Sequence, residues 1–206
     1  MLQRDPEWYA LRLGKFTGSR FSDLMATTRT GPAVARKNLI VTLALERMTG
    51  QVAEEYQNAA MQRGIELEPE ARAAYEMHVG DLVTEVPFIA HPKYEFVGVS
   101  PDGLVGSEGM TEFKCPSSLH KHVAALMAGE HAKEYKWQLQ GQLWVAGRAW
   151  VDAVSYDPRF PDGLKLAVKR VERDEKAIEE LEHSCIEAEE EVCELVAKLS
   201  DMQQAA

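Results

Sequence analysis

The sequence has few cysteines and no long apolar run. Its three cysteines, Cys115, Cys185 and Cys193, form no C-x-x-C pair, so the chain has neither a zinc-finger spacing nor a disulfide framework, and reduced thiols in a cytoplasm are expected. No stretch approaches the apolar length of a membrane span. The N-terminus, MLQRDPEWYALRLGK, lacks the apolar core of a secretory signal. These absences predict a cytoplasmic protein with no membrane partner.

The chain also lacks an excess of positive charge. The formal net charge of −10 argues at first against a polyanionic partner, but the charges are unevenly distributed. Residues 1–50 carry eight Lys and Arg against four Asp and Glu, whereas residues 174–206 carry two against eleven. A phosphate backbone responds to the local field and not to the net charge of the molecule. DNA or RNA binding therefore remains open.

What is present is a change of periodicity along the chain. Helical patterns fill the first part, with Pro32 in the first turn of a helix that Gly50 ends and a break near Gly64. Alternating segments then predict strands, and the last predicted element is an amphipathic helix. We predict strands at 81–92, 94–100, 110–115, 149–158 and 164–173.

The order of these elements favours one α/β domain with a mixed central sheet flanked by helices. No linker or repeat divides the chain. We predict one domain over residues 1–206, composed of a basic helical part (1–80), a sheet core (81–173) and an acidic C-terminal helix (174–206).

The segment TEFKC places two charged residues inside an apolar strand. Glu112 and Lys114 are two apart and therefore share a face, while Phe113 points to the other side. If residues 96–101 pair with 110–115, Asp102 at the turn SPDG can lie beside Glu112. Two carboxylates and one ammonium would then meet at one edge of the sheet.

Such a pair of carboxylates is typical of a divalent metal site. Adjacent carboxylates repel each other unless a cation or a proton intervenes. Mg²⁺ accepts a few carboxylates together with several waters, and the main-chain carbonyl of Phe113 could supply a further ligand. Lys114 would lie near the attacking water, as phosphodiester hydrolysis requires. Taken alone, Glu-x-Lys is more often a structural ion pair; the combination with Asp102 favours the catalytic interpretation.

These residues resemble the Asp…Glu-x-Lys nuclease superfamily, and more narrowly the phage lambda exonuclease and related YqaJ-type viral recombinases. The similarity runs in consistent order over about residues 6–176. The segments that carry it are EWYALRLGKFTGSRFSDLM, RGIELEPEARAAYE, SPDG with TEFKCP, KWQLQGQLWV, and YDPRF with VERDE. The resemblance implies a restriction-endonuclease-like core.

The resemblance also implies roles for individual residues. Asp102 and Glu112 match the metal-binding acids, Lys114 the catalytic lysine and Gln138 the glutamine that approaches it. Glu68 matches the helix glutamate that supports the metal site, with its neighbours Glu66 and Glu70 as alternatives. The residues that match the binding site for a 5′-phosphate are Arg12, Ser19 and Ser100. A plain helix N-cap is the alternative role for Ser19.

The activity that the resemblance implies is a Mg²⁺-dependent 5′→3′ exonuclease acting on double-stranded DNA ends that carry a 5′-phosphate. It would use one or two ions, with Mn²⁺ as a substitute, and would leave a 3′ overhang. A ring-shaped homotrimer, a single-strand annealing protein as partner, and a phage or prophage gene expressed in a bacterial host are likewise implied. The alternatives are an endonuclease on the same core and a DNA-binding module that has lost catalysis.

Overall fold

The computed structural model of the chain describes residues 3–29, 31–53 and 59–205. Within these ranges it has eight α-helices: α1 Pro6–Arg12, α2 Phe21–Leu24, α3 Val34–Thr49, α4 Ala59–Val79, α5 Leu119–Ala128, α6 Glu130–Glu134, α7 Lys136–Ala146 and α8 Glu175–Gln204. The strands are β1 Phe16–Thr17, β2 Thr27–Thr28, β3 Gly31–Pro32, β4 Val83–Thr84, β5 Ile89–Ala90, β6 Val97–Val99, β7 Gly103–Val105, β8 Gly109–Lys114, β9 Trp150–Tyr156 and β10 Leu166–Glu172. None of the described helices has the length and apolarity needed to cross a membrane.

A five-stranded mixed sheet in the order β10-β9-β8-β7-β4 forms the centre of the fold. Strands β8 and β9 run parallel, and the other neighbours are antiparallel. On one face, Tyr75 of α4 packs edge-on against Phe113, with ring centroids 5.8 Å apart. On the other face, Leu139 and Leu143 of α7 pack with Met110. The predicted mixed sheet flanked by helices is confirmed.

The predicted pairing of residues 96–101 with 110–115 is wrong. Strand β6 lies in a separate sheet of order β1-β6-β5, and β8 pairs with β7, which was not predicted. Residues 103–105 are too few for an alternating pattern to reveal a strand. The strand predicted at 81–92 is also wrong as one element, because Pro87 lies between β4 and β5 and these two join different sheets.

Three helix predictions change in detail. Helix α4 runs unbroken through Gly64, so the predicted break there is wrong. Pro32 lies in the short strand β3, just ahead of α3, and not in the first turn of the helix. Ser19 lies inside a 3₁₀ turn, Gly18–Arg20, and the short helix α2 begins after Arg20, so the alternative role of Ser19 as a helix N-cap is wrong. Gly50 does end α3, with φ 66°.

The acidic helix α8 packs against the basic front of the chain. Its buried stripe includes Leu181, Cys185 and Val192, as predicted for an amphipathic helix. Arg47 of α3 donates to Glu189 at 2.6 Å and 2.8 Å, and Arg36 donates to Glu191 at 2.7 Å and 3.0 Å. Part of the charge separation seen in the sequence is therefore neutralised inside the fold.

Candidate active site

Strand β8 presents Glu112 and Lys114 toward helix α7, on the same face as Met110. Lys114 Nζ donates a hydrogen bond to Glu112 Oε1 at 2.7 Å. Glu112 is buried, and about a quarter of the lysine side chain is exposed. The two charges therefore lie at the border between the sheet core and a cavity, which explains how an apolar strand accommodates them.

Asp102 reaches the same point from the turn before β7. The register of the β7–β8 hairpin pairs Gly103 with Thr111, which brings Asp102 level with Glu112. Its Oδ2 accepts a hydrogen bond from the main-chain N–H of Phe113 at 2.6 Å. Burial raises the pKa of Asp102 well above its usual value, and the charges of Glu112 and Glu68 raise it further. The predicted meeting of the two acids and the amine occurs, but through β7 and not through residues 96–101.

Helix α7 holds Glu112 from the opposite side. Gln138 donates to Glu112 Oε1, and its own Oε1 accepts from Lys114 Nζ at 3.3 Å. Gln142, one turn later, donates from Nε2 to Glu112 Oε2 at 2.6 Å and is almost completely buried. Gln140 points elsewhere and donates to the carbonyl of Glu172. Glu112 is thus fixed by one ammonium and two amides.

Of the three glutamates considered on α4, Glu68 is the one that borders the cavity with Asp102 and Lys114. Glu66 accepts a hydrogen bond from Gln62, and Glu70 accepts from the hydroxyl of Tyr156. The carboxylate of Glu68 is bonded by two arginines. Arg4 Nη2 lies 2.7 Å from its Oε2, and Arg72 Nη2 lies 3.4 Å from its Oε1.

The cavity at this point has a volume of about 500 Å³. Besides the acids and the lysine it is bordered by Arg4, Lys121 and Tyr135, and the Lys114 ammonium lies 4.4 Å from the centre of the Tyr135 ring. Burial disfavours the Lys114 ammonium, but Glu112 and Asp102 outweigh that effect and raise the pKa of Lys114 to about 12. Without a metal ion the lysine is therefore charged.

The donors at this site fit a hard divalent cation. Within residues 3–29, 31–53 and 59–205, no three His, Cys, Asp or Glu side chains lie together closely enough to hold a metal ion by themselves. Asp102 and Glu112 are nevertheless adjacent, and Phe113 borders the same cavity. Burial and the charges of Glu112 and Glu68 raise the pKa of Asp102, and a bound divalent cation would oppose that shift. Two carboxylates plus a carbonyl and waters is an ordinary set for Mg²⁺.

A second group of polar side chains lies beside Asp102 in the chain. Arg12 Nη1 donates to Ser100 Oγ at 3.2 Å, and Trp8 Nε1 donates to the same oxygen at 2.9 Å. Arg12 also lies 4.2 Å from the centre of the Trp8 ring and donates to Thr17 at 3.3 Å. Ser19 is exposed on the next turn and has no hydrogen bond to Arg12 or Ser100. The structure therefore brings Arg12 and Ser100 together, and it does not join Ser19 to them.

Comparison with known proteins assigns a family to this arrangement. A model described as the YqaJ-like viral recombinase domain matches residues 7–149, a range that contains every site residue named so far except Arg4. The chain belongs to the YqaJ-like viral recombinase family. No curated protein matches the chain.

Solved structures agree with the family. An alkaline exonuclease from Laribacter hongkongensis is 41% identical, with a TM-score of 0.89 over 98% of this chain and 99% of that one. The same exonuclease in complex with dAMP is 42% identical over 98% of this chain and 100% of that one, again with a TM-score of 0.89. A phage-related exonuclease from Haemophilus somnus 129PT, at 17% identity and a TM-score of 0.76 over 90% and 96%, shares the fold. The fold is restriction-endonuclease-like, and these comparisons support a nuclease of the YqaJ family.

Sequence reasoning missed three residues that contact the site's acids: Gln142, Arg4, and Arg72, which follows Glu68 by four residues on α4. Gln142 follows Gln138 by four residues, so helical spacing places both on one face of α7; that signal was present in the sequence. Arg4 lies 64 residues from Glu68, and nothing in the local pattern links them.

Proposed function

We propose that this chain is a Mg²⁺-dependent exonuclease that degrades one strand of linear double-stranded DNA from 5′ to 3′. It would release mononucleotides and leave a 3′ single-stranded overhang for annealing-type recombination. One observation carries the proposal: Asp102, Glu112 and Lys114 converge on one cavity in a chain 41% identical to an alkaline exonuclease. The dAMP complex of that exonuclease supports a mononucleotide product.

In this proposal the acids hold the cation and the neighbouring residues hold the acids. Asp102, Glu112 and the carbonyl of Phe113 would bind one or two Mg²⁺ ions, or Mn²⁺ in their place, with Glu68 in support. A bound ion supplies charge neutralisation for the phosphate and activation of a water. Gln138 orients Lys114, whose ammonium is placed to donate to a phosphate oxygen or to orient the attacking water. A fixed arrangement of this kind avoids reorganisation during the reaction.

The end specificity would come from the group around Arg12. The guanidinium offers several donors to a phosphate, Ser100 adds a hydroxyl, and Ser19 would contribute a second hydroxyl. Because Ser100 precedes Asp102 by two residues, a 5′-phosphate held there would place the first internucleotide bond near the acids. One pocket would then define both the DNA end and the one-nucleotide step.

The assembly follows from the family and is equally a proposal. We expect a homotrimeric ring, a single-strand annealing protein that receives the 3′ strand, and a phage or prophage gene product that acts in the cytoplasm of a bacterial host. Light scattering should give a particle of three times 23.1 kDa; a stable monomer would contradict the ring.

The deciding experiment is digestion of a linear duplex labelled separately at the 5′ and 3′ ends of one strand, with and without Mg²⁺. We expect the 5′ label to appear first as a mononucleotide, only with the metal, and a closed circular duplex to remain intact. Lys114→Ala serves as the matched inactive variant that still binds DNA in the presence of Mg²⁺. Early release of the 3′ label would contradict the polarity. Cleavage of the circle would favour the endonuclease alternative, and binding without cleavage by the unmodified protein would favour the inactive module.

A further inference from the structure

Arg4 borders the active-site cavity, and Gln3, the first described residue, borders the space that adjoins it. Gln3 Nε2 donates to the carbonyl of Val86 at 3.0 Å and to that of Pro101 at 2.9 Å, and Pro101 immediately precedes Asp102. Arg4 borders both the 500 Å³ cavity and an adjoining one of about 330 Å³, and Glu68 and Asp102 border both as well. Gln3 thereby fixes Arg4 at the entrance to the acids.

Arg4 has an unusual backbone conformation and forms an ion pair with Glu68. Its φ of 74° lies in the left-handed region, and no other non-glycine residue in the described part of the chain has a positive φ. This conformation is unfavourable for a non-glycine residue, because its Cβ comes close to a main-chain carbonyl oxygen. In this conformation Nη2 lies 2.7 Å from Glu68 Oε2. Strain of this kind persists where surrounding contacts hold it, and here the hydrogen bonds of Gln3 and the ion pair of Arg4 do so.

The charges around the cavity are unequally matched. Glu112 is paired with Lys114 at 2.7 Å, and Glu68 is paired with Arg4 at 2.7 Å and with Arg72 at 3.4 Å. Asp102 has no ion pair in the described structure and accepts from a main-chain N–H. The side chain of Glu68 is 17% exposed and that of Arg4 is 40% exposed, so Arg4 is the more accessible member of its pair. A cation that enters beside Asp102 meets the field of Arg4.

We propose that Arg4 is a built-in counter-ion of the active site, which occupies Glu68 when no divalent cation is bound and competes with that cation for the site. This inference rests on the proposed function insofar as Glu68 supports metal binding there. Arg4 then acts as a positioning residue for Glu68, and it prevents repulsion among the acids of the metal-free protein. For a metal ion to bind, the Arg4 guanidinium would have to move away from Glu68. The metal concentration needed to fill the site would therefore be higher.

A purely structural ion pair that fastens the N-terminal residues to α4 predicts the opposite sign. Loss of such a tether would loosen Glu68 and weaken metal binding. Loss of a competing cation should strengthen metal binding, because one repulsive charge is removed from the site. The direction of the change therefore separates the two interpretations.

The test is calorimetric titration of Mn²⁺ into the metal-free full chain without DNA. We expect Arg4→Gln to bind Mn²⁺ about three- to tenfold more tightly than the unmodified protein, an order of magnitude set by one charge at partly screened range. Arg4→Lys keeps the charge and should bind nearly as the unmodified protein does. Arg36→Gln removes an arginine whose partner, Glu191, lies on α8, and should leave Mn²⁺ affinity unchanged. Arg4→Met replaces Arg4→Gln if thermal melting shows that the glutamine variant is unfolded, with the same sign expected.

A double-mutant cycle tests whether the effect of Arg4 on Mn²⁺ binding depends on its contact with Glu68. In a Glu68→Gln background the exposed Arg4 guanidinium loses the partner that holds it at the cavity, so Arg4→Gln should tighten Mn²⁺ binding much less. Equal or weaker Mn²⁺ binding by Arg4→Gln, or an undiminished gain in the Glu68→Gln background, would overturn the inference and leave the proposed function intact. Absence of any Mn²⁺ binding to the unmodified protein would instead refute the metal site of the proposed function, and this inference with it.

Discussion

At the scale of one residue, Asp102 shows how a metal-binding carboxylate lowers the stability of the metal-free protein. Its carboxylate is placed beside Glu112 and within the field of Glu68, and burial together with those two charges raises its pKa. The folded state therefore holds a proton on Asp102 at pH values where the unfolded chain has released it. Functional sites often keep such locally unfavourable groups.

We predict that Asp102→Asn stabilises the metal-free protein and abolishes cleavage. Below the ordinary pKa of an aspartate the residue is neutral in both states, and the substitution should have little effect. Above the raised pKa of the folded state the full cost of the charge is present, so the gain should grow with pH to about 1–2 kcal/mol. Urea unfolding at acidic and alkaline pH without metal measures this. A gain in the free energy of unfolding that does not depend on pH, or a decrease in it, would contradict the raised pKa of Asp102.

Arg12 allows a second test at this scale. We predict that Arg12→Ala lowers the preference for a 5′-phosphate over a 5′-hydroxyl end about 10- to 100-fold, because a hydrogen bond to a charged group contributes about 1.5–3 kcal/mol. Initial rates on two duplexes that differ only in the 5′ group measure the ratio. Arg36→Ala is the control, since Arg36 pairs with Glu191 on α8. An unchanged ratio in Arg12→Ala would refute the assignment of the phosphate pocket.

At the scale of elements, long patterns were predicted from sequence and short ones were not. Strands β9 and β10 and helix α8 have enough residues for their periodicity to emerge. Strand β7, Gly103–Val105, has three residues, so its pattern carried no signal although its pairing with β8 positions Asp102. The meeting of Asp102 with Glu112 was predicted through the wrong strand, because the register of the β7–β8 hairpin is what brings the two residues level.

Two glycines within helices test how closely these elements pack. A Cβ on Gly141 of α7 would lie 2.2 Å from the ring of Phe21, whereas one on Gly64 of α4 would meet no described residue within 4 Å. We predict that Gly141→Ala destabilises the protein by about 1–3 kcal/mol through overpacking. Gly64→Ala should stabilise it by up to about 1 kcal/mol through helix propensity. Urea unfolding of both variants measures the contrast.

The same pair tests the continuity of α4. A break at Gly64, as its sequence suggested, would make alanine there neutral or unfavourable, and the expected gain would be absent. For α7, a Gly141→Ala variant with unchanged stability would show that Phe21 moves aside at no cost. The close approach of α7 to α2 would then contribute little to holding the glutamines against Glu112.

At the scale of the whole molecule, the question is how a chain with a net charge of −10 would bind DNA. The cavity that contains the acids is also bordered by Arg4, Lys114 and Lys121. Most of the excess negative charge lies on α8, where Glu189 and Glu191 pair with arginines of α3. Others, such as Glu179, Glu180 and Glu190, are exposed. The sequence could not predict these ion pairs, from either its net charge or the charge of its segments, because they form only when α3 and α8 pack together.

We predict that the exposed glutamates of α8 keep DNA away from that side of the molecule. The triple substitution Glu179→Gln, Glu180→Gln and Glu190→Gln should strengthen binding of a blunt duplex without a 5′-phosphate severalfold at low salt. The effect should vanish near 0.5 M salt, where screening leaves a Debye length of only about 4 Å. Fluorescence anisotropy across a salt series measures it. Because α8 contributes no residue to the cavity, exonuclease rates at saturating DNA should stay the same. A gain that persists at high salt would mean that the glutamates act through a direct contact, and an unchanged affinity at low salt would mean that DNA never approaches this face.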